Sequence, residues 1–211
     1  MSRKRLLKES KKIPLYGLVL AGGESTRMKK DKSLLEYYDK KQVIHCFDLL
    51  SQFCDQVFVS NREEQSRLAA HKKLPQIHDI FVAIGPLGGI LSAMTRNPDV
   101  AWLVLACDLP FVKELTIARL IKKRNPAKAA TAYRSTHEPD LPEPLCAIYE
   151  PKILIQLLQF LAQGIQCPRA MLRRSDTQLI TQCQPISLDN INSPQEYHKA
   201  IGLIRRKSID K

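Results

Sequence analysis

The sequence predicts a three-layer α/β/α protein of the Rossmann-like type, in which a mostly parallel sheet lies between two layers of helices. Short apolar runs alternate with amphipathic segments along the 211 residues, as expected of successive strand–helix units. The run over residues 102–107 is apolar throughout, which is typical of a central strand buried on both faces. Ligands of such sheets bind at the carboxyl ends of the strands, so the loops that follow strands are the candidate site.

The first half of the chain supplies two strands and two helices. An apolar run predicts a buried strand over residues 15–19, and a second, shorter run predicts a strand over residues 57–59. Between them, apolar residues recur at helical spacing over residues 43–54. The glycine-rich segment 85–89 is expected to be a loop that leads into a helix over residues 90–95.

The second half continues the alternation of strands and helices. Its predicted strands cover residues 102–107, 129–133 and 145–149, and the polar, proline-containing stretch 135–144 is expected to be a loop. Its predicted helices cover residues 115–121 and 153–161. A last helix begins at Pro194, with Ser193 as its N-cap.

The segment after the first strand has the composition of a phosphate-binding loop. Gly22 and Gly23 allow backbone N–H groups to approach an anion closely, and the N-terminus of a following helix would point at it. Arg27 and Lys32 carry positive charge that can neutralise a polyphosphate. The segment therefore predicts that the chain binds a nucleoside triphosphate.

Three polar residues at strand ends are further candidates. Asp108 ends the most apolar strand and either holds Mg²⁺ beside the phosphates or caps the turn before Pro110. Asn61 and Asp79 either bind the base or ribose, or close turns. With a phosphate loop elsewhere in the chain, the metal-binding interpretation of Asp108 gains weight.

Charge and cysteine content indicate the environment of the protein. The formal net charge is +12, and much of the excess lies in residues 1–12 and 205–211, which we expect to be basic tails around a single domain over residues 13–204. Aromatic residues do not interleave with these charges, so nucleic acid is not the expected partner.

The six cysteines have no metal-binding or redox spacing, which predicts a protein of the reducing cytoplasm. No stretch is long enough to predict a membrane span, and a monomer is the expected state.

The pattern Leu-Ala-Gly-Gly-x-Ser-x-Arg-Met-x-x-Asp-Lys at residues 20–32 resembles the opening motif of the molybdenum cofactor guanylyltransferase family and of its cytidylyl- and other nucleotidyltransferase relatives. Four later segments resemble family motifs in the same order: residues 85–89, 107–110, 143–149 and 190–194. Two positions depart from the family pattern. Lys29 stands where the family usually has Gly, and residues 59–62 are one residue shorter, which leaves Ser60 as an alternative to Asn61.

The resemblance implies a nucleotidyltransferase fold and a role for each candidate. The residues expected to contact the nucleotide are Leu20, Ala21, Gly22, Gly23, Lys32, Asn61, Asp79 and Asp108. Those expected to take part in catalysis are Lys32, Arg27 and Asp108, the last holding Mg²⁺. The implied reaction transfers GMP from GTP to the phosphate of molybdopterin and releases pyrophosphate. Two alternatives stay open: a related enzyme that uses CTP or another phosphorylated acceptor, and a nucleotide-binding protein without catalysis.

Overall fold

The computed structural model describes residues 12–22, 31–136 and 138–209, with the side chains of residues 207–209 left aside. Within these residues a seven-stranded sheet carries helices on both faces, in the strand order β3-β2-β1-β4-β6-β5-β7. The strands are β1 Leu15–Leu20, β2 Gln56–Asn61, β3 Gln76–His78, β4 Ala101–Ala106, β5 Ala130–Arg134, β6 Pro142–Tyr149 and β7 Thr177–Ile180. The helices are α1 Gln42–Ser51, α2 Pro86–Arg96, α3 Glu114–Lys122, α4 Ile153–Ala162, α5 Pro168–Arg174 and α6 Pro194–Ile209.

The sheet is parallel except for one reversed strand. β1 pairs in parallel with β2 and β4, β2 with β3, and β5 with β7, whereas β6 runs antiparallel to both β4 and β5. The amino end of β6 therefore lies at the same edge of the sheet as the carboxyl ends of the other strands. The register between β5 and β6 shifts at Ala132 and Tyr133.

Each face of the sheet has its own apolar core. On one face, α1 and α3 pack over residues such as Val19, Val59 and Leu105. On the other face, α2, α4 and α5 pack over residues such as Leu18 and Val104. This partition follows from the strand geometry, because successive side chains point to opposite faces. Because both faces are covered, β4 is buried at all six positions, as its sequence predicts.

The predicted strands and helices are present, with two differences at their boundaries. Helix α2 begins at Pro86 rather than at residue 90, because proline fits the first turn, where its missing N–H has no intrahelical partner. Gly88 and Gly89 are thus buried helical residues. A Cβ atom at Gly88 would lie well inside 3.0 Å of the Phe81 carbonyl oxygen, so this glycine permits close packing of the helix.

Strand β6 begins at Pro142, inside the stretch expected to be a loop. Proline is tolerated as the first residue of a strand, where its missing N–H removes no ladder hydrogen bond. The shifted register pairs Glu143 with Tyr133 and Ala147 with Ala132, so Pro144 lies where the ladder with β5 is interrupted. The short elements β3, α5 and β7 are absent from the sequence prediction.

The last helix begins as predicted and runs further. The backbone N–H of Glu196 donates to Ser193 Oγ at 3.3 Å, and the Glu196 carboxylate accepts from the backbone N–H of Ser193 at 3.0 Å, which is a capping box. Helix α6 continues through Ile209, so residues 205–209, expected to be part of a basic tail, are helical. Within the described ranges, no helix combines the length and apolar character that a membrane span requires.

Candidate functional site

A cavity opens at the carboxyl ends of β1, β2 and β4, where the predicted loops converge. Its lining includes the predicted site residues Leu20, Ala21, Gly22, Lys32, Asp79 and Asp108. The start of helix α2 closes one side through Gly85, Pro86 and Gly89. The predicted residues Gly23 and Arg27, together with Lys29, lie outside the described residues.

Lys32 and Asp108 come from distant parts of the chain and meet in this cavity. Lys32 begins a short 3₁₀ turn, Lys32–Leu34, and Asp108 follows the end of β4. The Lys32 Nζ atom lies 3.5 Å from Asp108 Oδ2, and the two side chains are only 22% and 16% exposed. Lys32 Nζ also donates a hydrogen bond to Asn192 Oδ1 at 2.6 Å, and Asn190 Nδ2 donates to Asp108 Oδ2 at 3.3 Å. A cation and a carboxylate thus face each other in partly desolvated surroundings, where their charges are weakly screened.

The second carboxylate oxygen of Asp108 bears on metal binding. Asp108 Oδ1 is buried and has no hydrogen-bond partner within the described part of the chain. Leaving a buried acceptor unpaired costs free energy, so such an atom in a native structure calls for an explanation. A hard divalent cation prefers oxygen ligands and would satisfy it. The described residues contain no group of three or more His, Cys, Asp or Glu side chains that could hold a metal, so phosphate oxygens or water would supply further ligands.

Asp79 lies against the backbone of the first loop. Its Oδ1 accepts a hydrogen bond from Ser60 Oγ at 2.6 Å, and a Cβ atom at Gly22 would lie 3.0 Å from its Oδ2. Burial raises the pKa of Asp79 above its ordinary value, although the Ser60 hydrogen bond and the nearby His78 and Arg62 partly oppose this. A half-buried acceptor beside the Gly22 backbone is suited to bind the hydroxyl or N–H groups of a nucleoside.

Asn61 does not reach the cavity. Its buried side chain donates to His71 Nδ1 at 3.0 Å and to Gln76 Oε1 at 2.6 Å, and accepts from His78 Nδ1 at 3.0 Å. Successive residues of β2 point to opposite faces of the sheet, so Ser60 lines the cavity and Asn61 points away from it. Of the two alternatives that the shortened 59–62 segment left open, the structure brings Ser60 to the site.

A second cavity of about 520 Å³ lies beside the first one. It is formed by the start of β6, by α5 and by the segment before α6. Arg169 Nη2 lies 3.1 Å from Glu143 Oε2, and burial raises the pKa of Glu143 although Arg169 opposes the shift. Asn190 and Asn192 line this cavity and contact the Lys32–Asp108 pair of the first one. The second cavity is therefore linked to the Lys32–Asp108 pair of the first one through these two asparagines.

Several residues at this junction were not identified individually from the sequence: Glu143, Arg169, Asn190 and Asn192. Glu143, Asn190 and Asn192 lie in the segments 143–149 and 190–194, whose resemblance to family motifs is the sequence feature that could have identified them. Arg169 stands in a segment where neither a motif nor a strand end marks it.

Comparisons with known proteins identify the family of the chain. A family model described as "MobA-like NTP transferase domain" matches residues 17–179. The "Molybdenum cofactor biosynthesis bifunctional protein" of Synechocystis sp. is 38% identical over 184 residues, which are 87% of this chain and 53% of that protein. The chain thus spans about half the length of that relative. A "Molybdenum cofactor guanylyltransferase" of Vibrio cholerae is 26% identical and covers 85% of this chain and 87% of its own.

Solved structures share the fold. "Molybdopterin-guanine dinucleotide biosynthesis protein A" from Archaeoglobus fulgidus superposes with a TM-score of 0.76 at 25% identity, covering 90% of this chain and 99% of its own. Rv0371C from Mycobacterium tuberculosis, whose structure is described as a complex with manganese, superposes with a TM-score of 0.59 at 18% identity. It covers 90% of this chain and 98% of its own.

Proposed function

Because the chain belongs to the MobA-like NTP transferase domain family, we propose that it is a nucleotidyltransferase that transfers GMP from GTP to the phosphate of molybdopterin and releases pyrophosphate. The observation that carries this proposal is the contact between two cavities: Asn190 and Asn192 line the second one and hydrogen-bond the Lys32–Asp108 pair of the first. A transferase must hold a donor and an acceptor together, and this junction is where their reacting groups would meet.

The first cavity is proposed to hold the triphosphate. The backbone of Leu20, Ala21 and Gly22 would contact the nucleotide. Gly23 is proposed to bind the nucleotide as well, and Arg27 to take part in catalysis. Ser60 and Asp79 would bind the nucleoside, because they present a hydroxyl and a carboxylate beside Gly22.

Catalysis is proposed to depend on charge and position rather than on a general base. A phosphate ester has a second pKa of about 6, so the acceptor is already largely dianionic at neutral pH. Lys32 would balance the negative charge that crowds around the α-phosphorus as the acceptor oxygen approaches and pyrophosphate leaves. Asp108 Oδ1 would hold Mg²⁺, which when bound supplies positive charge to the phosphates and orients them.

The second cavity is proposed to hold the acceptor. Its volume of about 520 Å³ falls within the range of roughly 300–1,000 Å³ that small-molecule sites occupy. Its lining holds two cations, Arg169 and Lys199, among four carboxylates, Glu138, Glu143, Asp189 and Glu196, and the two cations would bind the phosphate of the acceptor. Asn190 and Asn192 border this cavity and also hold the Lys32–Asp108 pair, so they would align the acceptor with the donor.

We also infer that the protein works in the cytoplasm as a monomer, without nucleic acid as a partner. All six cysteines are free thiols, which suits a reducing compartment. Size-exclusion chromatography with light scattering tests the monomer, and a salt series of DNA and RNA binding tests the last point. A stable dimer, or nucleic-acid affinity that salt abolishes, would contradict these inferences.

The decisive experiment measures pyrophosphate release from GTP, CTP, ATP and UTP, with and without molybdopterin and with and without Mg²⁺. Of the four nucleotides, we expect only GTP to release pyrophosphate, and only when molybdopterin and Mg²⁺ are both present. The variant Asp108→Asn should lose at least about 100-fold in turnover, a typical loss when one stabilising group is removed from a transition state. Asp176→Asn, a change on the exposed surface, is the matched control and should keep full activity. Normal turnover of a folded Asp108→Asn enzyme would overturn the metal role, and a preference for CTP would overturn the choice of donor.

A further inference from the structure

The turn that carries Lys32 is held in place by a hydrogen-bonded group of buried and half-buried polar side chains. We call this group the Asp31 network; its members are Asp31, Ser33, Asn61, Gln65, His71 and Gln76. Asp31 is the N-cap of the 3₁₀ turn, and its Oδ1 accepts hydrogen bonds from the Ser33 backbone N–H at 2.9 Å and from Ser33 Oγ at 2.6 Å. The conformation of the residue next to Lys32 thus depends on how the Asp31 carboxylate is held.

His71 holds this carboxylate through Ser33. The imidazole is fully buried, with Nε2 lying 2.9 Å from Ser33 Oγ and Nδ1 lying 3.0 Å from Asn61 Nδ2. An amide nitrogen can only donate, so Nδ1 must accept and the proton must stand on Nε2. His71 then donates to Ser33 Oγ, which in turn donates to Asp31. The hydrogen bonds all run in one direction, from Asn61 through His71 and Ser33 to Asp31.

Gln65 holds the other oxygen of the same carboxylate. Its Nε2 donates to Asp31 Oδ2 at 2.6 Å and to the carbonyl oxygen of Ala21 at 3.0 Å. Ala21 lines the nucleotide cavity, so the Asp31 network joins the backbone of the first loop to the turn of Lys32. The hydrogen bonds of Asp31 with Ser33 and Gln65 hold this turn in addition to the contacts that Lys32 itself makes with Asp108 and Asn192.

We propose that His71 is a positioning residue for nucleotidyl transfer, which orients Lys32 through Ser33 and Asp31 without touching either substrate. The proposal rests on the role of Lys32 in the proposed function. His71 lines neither cavity, and both of its ring nitrogens are engaged within the network. Burial lowers its pKa, which favours the neutral ring that this pattern of hydrogen bonds requires.

A double-mutant cycle tests the coupling between His71 and Lys32. His71→Phe keeps a ring of similar size but removes both hydrogen bonds, and we expect it to lower kcat about 10- to 100-fold, the range seen when a group that orients a functional side chain is lost. His71→Gln restores one acceptor and one donor and should recover part of the loss. When Lys32 is already alanine, His71→Phe should change the residual rate less than about twofold, because residues that act as a unit are non-additive.

Controls separate positioning from mere folding. His45→Phe changes a half-buried histidine outside the network and should leave kcat unchanged, and thermal unfolding checks that every variant is folded. If His71→Phe lowers the rate equally with and without Lys32, or if the folded variant keeps full kcat, the positioning role is wrong.

A spectroscopic measurement keeps the inference testable should the enzyme not transfer GMP to molybdopterin. In the ¹⁵N spectrum of the protein without substrates, His71 should be the neutral tautomer protonated at Nε2, and Asn61→Ala should perturb its Nδ1 signal. A different tautomer would refute the network itself, whatever reaction the enzyme catalyses. A correct tautomer together with an absent reaction would instead locate the failure in the proposed function.

Discussion

A single added methyl group at Gly89 tests how helix α2 shapes the nucleotide cavity. A Cβ atom there would lie well inside 3.0 Å of Ser60 Oγ, and it would also lie 2.9 Å from Leu20 Cδ2 and 3.1 Å from Ser60 Cβ. Ordinary contacts of a Cβ atom begin at about 3.4 Å. In Gly89→Ala, therefore, α2 must shift outward or Ser60 must leave its rotamer and its hydrogen bond to Asp79.

The size of the effect follows from the cost of overpacking. Forcing an extra methyl group into a close-packed site costs roughly 1–3 kcal/mol. If the cost falls entirely on the conformation that binds nucleotide, the affinity for GTP decreases about 5- to 150-fold, since each 1.4 kcal/mol is about tenfold. If it falls on the fold instead, it is measured as a lower free energy of unfolding. Isothermal titration with GTP and urea unfolding together capture both contributions.

A second change identifies the cause. Ser60→Ala removes the Oγ atom, which makes the closest contact, and leaves the contacts with Leu20 Cδ2 at 2.9 Å and Ser60 Cβ at 3.1 Å. The double variant should therefore bind GTP better than the two single effects predict, with a coupling of about 0.5–3 kcal/mol. Gly202→Ala is the matched control, because alanine favours the helix and, among the described residues outside the adjacent backbone of α6, no atom lies within 4 Å of its added Cβ. If Gly89→Ala matches the wild type in stability and affinity, or the two sites prove additive, this account of the packing is refuted.

Two further predictions concern stability and pH. Glu150→Ala should lower the free energy of unfolding in urea by about 3–5 kcal/mol, because it leaves the charge of Arg124 without the carboxylate that accepts two hydrogen bonds from it in a buried ion pair. Asp176→Ala breaks an exposed ion pair of the same 2.7 Å length and should cost at most about 1 kcal/mol. Equal losses in the two variants would contradict the argument from burial. Asp79→Asn should weaken GTP binding. It should nevertheless raise the free energy of unfolding near pH 7, because burial raises the pKa of Asp79 in the folded state, so the folded protein loses stability when this carboxyl ionises as the pH rises. The gain should vanish in acid, where the carboxyl is protonated in both states, and a gain that persists there would refute the explanation.

The sequence predicted the parts of the fold that burial controls. The apolar runs of β1 and β4 are strands with almost no exposure, and the polar residues that follow them meet at one edge, as the geometry of parallel strands requires. The cap of α6 at Ser193 was also predictable, because an N-cap followed by Pro and then Glu has a local hydrogen-bonding cause.

Elements and contacts that depend on distant residues were not predictable in this way. Strand β7 is half-exposed at the edge of the sheet, so its apolar pattern is weak. The direction of β6 is set by its neighbours rather than by its own residues. Lys32 and Asn192 are hydrogen-bonded although 160 positions separate them, and no local pattern encodes such a pair.

The choice between Ser60 and Asn61 illustrates the limit for site residues. A shift of one residue along a strand reverses the face on which a side chain lies, so a gap of one position in a motif is enough to exchange a residue that lines the cavity for one that points away from it. Only the pairing of β2 with β1 and β3 fixes this alternation.

The reversed direction of β6 has a consequence for how the protein can diverge. β5 ends and β6 begins at the functional edge of the sheet, and the described residues of the connection between them line the second cavity and not the first. Insertions there would reshape the cavity that we propose for the acceptor, while Gly22, Ser60 and Asp79 at the first cavity keep their places. The same nucleotide site would in this way serve different acceptors, and a change in the length of the β5–β6 connection would be enough to alter the acceptor.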